Sequence, residues 1–79
     1  MKLTNIACSL FGGSSGPVNG VCNLDSSEGA SGQVIVAEHS FLSKHVRKVL
    51  TLITKEDTPR QFRIRIEDME GRFTGFREI

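Results

Sequence analysis

The chain has 79 residues, 38% of them hydrophobic and 24% charged, and carries a formal net charge of +1. It is too apolar to be wholly disordered, and its length sets one domain near the size at which a core is marginal without a disulfide, a metal or a partner. No run approaches the roughly 20 apolar residues a membrane helix needs, and the near-neutral total excludes a uniformly basic or acidic protein without excluding a local patch.

The opening residues make a poor secretory signal because Thr4, Asn5 and Ser9 interrupt the apolar stretch, so a cytoplasmic chain with free thiols is expected. Ile6, Cys8 and Leu10 alternate within residues 3–11, as side chains do on one face of a strand, and Gly12-Gly13 ends the run. The Gly/Ser-rich stretch 12–20 reads as a flexible loop with Asn19-Gly20 as a tight-turn dipeptide, followed by a short strand at 20–24. Residues 25–32 read as a second flexible loop. Residues 33–38 contain a continuous apolar run of strand length, which predicts a central strand buried on both faces.

From Ser40 onward, Leu42, Val46, Val49, Leu50 and Ile53 recur at helical spacing, with Ser43, Lys44, Arg47, Lys48, Thr51 and Lys55 opposite. The spacing predicts an amphipathic helix over 41–55. Its rival is a strand, because Val46, Val49, Thr51, Ile53 and Thr54 are β-branched. Pro59 terminates the element in either case. Residues 60–67 then alternate strictly, with Phe62, Ile64 and Ile66 on one face and Gln61, Arg63, Arg65 and Glu67 on the other. Turn chemistry in Asp68-Met69-Glu70-Gly71 leads into a last strand at 72–79, giving a C-terminal hairpin. The expected fold is α+β. It is a single domain over 1–79 with mostly antiparallel strands at 3–11, 20–24, 33–38, 61–67 and 72–79. One helix packs on the sheet, and a right-handed β-α-β crossover joins strands three and four. A small all-β barrel, with 45–55 as a strand, is the alternative.

Gly12-Gly13-Ser14-Ser15-Gly16 spells the G-x-S-x-G pattern of a nucleophile elbow, but no helix signal follows and the chain is too short for the sheet that pattern needs. The lysine of a phosphate-binding loop is missing, since none lies between Lys2 and Lys44. Cys8, Cys22, His39 and His45 are metal-ligating types, yet the cysteines lack the close spacing of a zinc knuckle. Neither histidine has an obvious orienting carboxylate, and Glu67, Asp68 and Glu70 read as solvated turn residues. Neither an enzyme nor a cofactor or metal is therefore expected.

Charge is unevenly placed. Lys44, Arg47, Lys48, Lys55, Arg60, Arg63 and Arg65 crowd the middle of the chain against Glu56 and Asp57 alone. The leading expectation is a non-catalytic protein-interaction module of inhibitor or adaptor type, dimerising through the edge of the C-terminal hairpin. The alternative is a nucleic-acid-binding protein that uses this basic stripe, with no aromatic residue interleaved because Phe62 points into the core.

Overall fold

β1 (Lys2–Gly12) follows the alternation of its sequence: Cys8, Leu10 and Gly12 are buried, while Ser9 and Phe11 turn outward. The computed structural model describes residues 1–13, 15–27 and 29–79. β2 (Ser15–Asp25) pairs antiparallel with β1 from Lys2↔Asp25 to Gly12↔Ser15. Most of the loop expected at 12–20 is therefore strand. Its glycines and Pro17 disfavour β structure locally, but ladder pairing along β1 outweighs that preference. Ser14, the centre of the G-x-S-x-G pattern, lies outside the described residues.

The chain continues through β3 (Ser31–Val36), α1 (His39–His45), β4 (Val49–Thr54), β5 (Gln61–Arg65), β6 (Arg72–Thr74) and β7 (Phe76–Glu78). All strands join one sheet in the order β6-β3-β2-β1-β4-β5-β7, and every pairing is antiparallel. The two outermost strands are consecutive in the chain, joined at Gly75 with φ of 82°. The sheet therefore curls until its ends meet. Glu67 N donates to Arg72 O at 2.8 Å and Thr74 N donates to Glu67 Oε2 at 2.8 Å, tying the end of β5 to β6.

The result is a nearly closed antiparallel barrel, 58% strand and 9% helix, so the fold is all-β and the α+β expectation is corrected. The helix predicted over 41–55 is only α1, because Val46 is extended (ψ 131°) and Arg47 adopts φ of 66°. From Val49 the period becomes two: Leu50, Leu52 and Thr54 are buried while Val49, Thr51 and Ile53 face out. Partners on both sides, β1 and β5, let the β-branched residues override the helical spacing. The crossover expected between strands 33–38 and 61–67 does not form: β4 intervenes in the chain where the spacing predicts the long helix, and β2, β1 and β4 separate β3 from β5 in the sheet. Nor is β3 buried on both faces, since Ile35 is 54% exposed. The C-terminal hairpin divides, with β7 pairing with β5 and β6 crossing to β3.

Leu10, Leu24, Val34, Leu50, Leu52, Phe62, Ile64 and Phe73 fill the interior with Cys8 and Cys22, and α1 adds Phe41 and Leu42. His45 is buried against the same end, its Nδ1 donating to Phe41 O at 2.6 Å. A Cβ at Gly12 would lie 2.5 Å from His45 Nε2, so only glycine lets β1 pass beneath that ring.

Candidate functional site

The outer wall of the barrel across β1, β4, β5 and β7 is assembled by register. Phe11 pairs with Thr51, Thr51 with Arg63, and Arg63 with Arg77, so these four residues form one row across four strands. In the next row Val49 stands opposite Arg65. Residues directly opposite in antiparallel strands have Cα atoms about 4.5–5.5 Å apart, and residues two along a strand about 7 Å. Arg63 thus has one guanidinium neighbour across the ladder and another along its own strand. All three arginines are exposed, and among the described residues none forms an ion pair. Val49, 55% exposed, lines with them a shallow groove of about 340 Å³.

The nearby carboxylates are engaged elsewhere. Arg60 Nε and Nη2 donate to the two carboxylate oxygens of Glu78 at 2.8 and 2.6 Å, and the Arg60 guanidinium lies 5.3 Å from the Phe62 ring centroid. This bond holds the Glu78 carboxyl below the usual carboxylate range. The hydroxyl and amide of Thr74 do the same for Glu67, and the Arg65 charge acts in the same direction against the opposing charge of Asp68. Asp68 accepts from Glu70 N at 3.0 Å, from Arg72 N at 3.2 Å and from Arg72 Nε at 3.0 Å, which makes it the organiser of its own turn.

Of the residues the sequence singles out, Arg63 and Arg65 lie at the centre of this wall. Arg47 and Lys48 sit at its end beside Arg65, where Arg47 N donates to Ile66 O at 2.6 Å and Ile66 N to Lys48 O at 3.4 Å. Lys44 is exposed in the last turn of α1. Lys55 lies beyond the far end of β4, its Nζ donating to Asn19, and Arg60 is neutralised by Glu78. Arg77 and Phe11 are the residues sequence reasoning misses. Phe11 merely ends the strand expected at 3–11, and Arg77 lies unremarked within the one expected at 72–79. Both reach the wall through pairing partners distant in sequence. The view that no aromatic residue shares the basic face is thereby corrected, because Phe11 stands in the same row as Arg63.

The metal-ligating types are not gathered. Cys8 and Cys22 are free and buried on the inner faces of β1 and β2, while His39 is exposed on α1. Among the described residues no group of three or more His, Cys, Asp or Glu is placed to hold a metal. Contact with the Cys22 thiol, together with burial, pushes the Cys8 thiol up.

Fold and wall together define a small, nearly closed antiparallel β-barrel with three arginines gathered on one stretch of its outer wall. Comparison with models of protein families, with curated proteins and with solved structures finds no match to this chain. No helix among the described residues is long and apolar enough to cross a membrane.

Proposed function

We propose that the protein binds the sugar–phosphate backbone of a nucleic acid on the outer wall of β4, β5 and β7. The observation that carries this reading is the cross-strand pair Arg63↔Arg77, with Arg65 beside it and no carboxylate partner for any of them among the described residues. Like charges directly opposite destabilise a sheet. A phosphate set between two guanidinium groups replaces that repulsion with charge-assisted, bidentate hydrogen bonds and releases condensed counterions. Arg47, Lys48 and Lys44 extend the positive surface towards α1.

The rival reading, a homodimer or protein complex built on the edge of β7, draws less support. β7 has three residues, and two-fold pairing about its centre would set Arg77 of one copy against Arg77 of the other. The role is binding rather than catalysis.

Fluorescence anisotropy with a labelled oligonucleotide tests the proposal. Binding at low salt should weaken as salt rises, with a log–log slope of about −2 for three arginine contacts to a single strand. The double variant R63E/R77E should abolish it. If the wild-type protein shows no affinity at low salt, the reading is wrong.

A further inference from the structure

We infer that the ligand is single-stranded and that Phe11 is the platform on which one of its bases stacks. This inference rests on the nucleic-acid reading and adds to it the class of strand and a specific contact. Four of the five phenylalanines serve the interior. Phe41, Phe62 and Phe73 are buried, and Phe76 packs edge-on against Phe62 and Phe73 with centroids 5.8 and 6.2 Å away. Phe11 does not belong to that cluster. Its neighbours Leu10 and Gly12 are buried, which turns its own side chain to the outer face, where it is half-buried.

The row fixes what lies beside the ring. Thr51, a small side chain, separates Phe11 from Arg63, and Arg77 follows. With strands about 4.8 Å apart, the Phe11 backbone is about 10 Å from that of Arg63 along the row. An apolar π face, a low hydroxylated floor and two guanidinium groups therefore succeed one another within the reach of a single nucleotide. A base can occupy the first and a phosphate the last. A duplex keeps its bases stacked inside and offers a convex wall only its backbone, so an outward aromatic ring gains nothing from it. An unpaired strand offers both groups at once. Aromatic stacking is tolerant of base identity, so the contact at Phe11 does not depend on sequence.

The test measures anisotropy at fixed low salt for a labelled mixed-sequence single strand, as DNA and as RNA, and for the matching DNA duplex, with inorganic polyphosphate as a base-free competitor. Phe11→Leu keeps apolar cover and removes the π face; Phe11→Trp keeps the π face and adds a fluorescent reporter. The single strand should bind more tightly than the duplex. F11L should weaken it by about 5- to 150-fold with the salt slope unchanged, while competition by polyphosphate stays the same. F11W should bind as well as wild type, its indole emission quenched on saturation; this readout stands even if F11L does not fold.

Equal affinity for duplex and single strand would overturn the inference. So would an F11L protein, folded by circular dichroism, that binds the single strand normally, or one that loses polyphosphate in parallel. If R63E/R77E abolishes binding while Phe11 proves indifferent, the backbone-binding proposal survives and the stacking inference falls. Absence of binding to every probe by the wild-type protein would remove both.

Discussion

Arg63 and Arg77 face each other across the β5–β7 ladder, while Arg60, just before β5, takes both oxygens of Glu78. The carboxylate next to Arg77 in sequence is thus directed to a different arginine. A protein under selection for stability alone would gain by placing a neutral β-former at position 77. Arg77→Thr is therefore expected to stabilise the protein at low salt by on the order of 0.5 kcal/mol, measured as the urea midpoint at constant m-value. At about 1 M salt the Debye length falls to roughly 3 Å, so the electrostatic part of the gain should vanish and leave only the change in strand propensity. In the double variant with Arg63→Thr the two gains should not add, because either change alone removes the same repulsion. A destabilised R77T protein, or a gain that ignores salt, would mean that the two guanidinium groups are held apart and that the wall is not charged in the way its register implies.

At the scale of the element, β4 is the place where pattern and structure part. A helix over 41–55 sets Val49 and Ile53 in the core, with Leu50 beside them. The strand buries Leu50, Leu52 and Thr54 instead, with Val49 55% exposed and Leu52 fully covered. Leu52→Ala should accordingly cost about 2–5 kcal/mol, whereas Val49→Ala should stay within roughly 0.5 kcal/mol, both read from chemical denaturation. The reverse ranking would restore the helix.

β1 and β5 were legible because one buried face imposes a period of two on their sequence, and Arg63 and Arg65 followed at once as outward residues. β4 was not, because its apolar residues satisfy both periods and only its two neighbours choose between them. β2 was hidden by its turn formers: Asn19 and Gly20 are held extended by pairing with Ser9 and Cys8, while Gly16 and Pro17 fall in the register shift between Val18 and Ser15. The break between β6 and β7 depends on Gly75, whose φ of 82° turns the chain from β3 to β5. Arg77 and Phe11 belong to the wall only once those pairings exist, so no local signal announces them.

For the molecule as a whole, closure decides what can be reached from outside. Cys8 and Cys22 lie at 0% exposure on β1 and β2, the strands nearest the middle of the sheet order, each paired on both sides over part of its length. The seam lies at the other extreme, where β6 and β7 are three residues each and the edge is held by the Glu67 amide donating to Arg72 O and the Thr74 amide donating to the Glu67 carboxylate. Fraying should begin at that seam, yet loosening β6 or β7 uncovers Phe73 and Phe76 before it uncovers either thiol. Alkylation of the thiols then requires the barrel to open globally, and once it is open neither the Cys8–Cys22 contact nor burial perturbs the thiols. Iodoacetamide labelling followed by mass spectrometry is expected to yield unmodified and doubly modified protein with little of the singly modified species. The free energy of opening should equal that of urea unfolding and fall with urea at the same slope. Labelling that is rapid in the native state and indifferent to urea would show instead that the wall opens locally between β1 and β2. The barrel would then be a sheet with two independent halves rather than one closed unit.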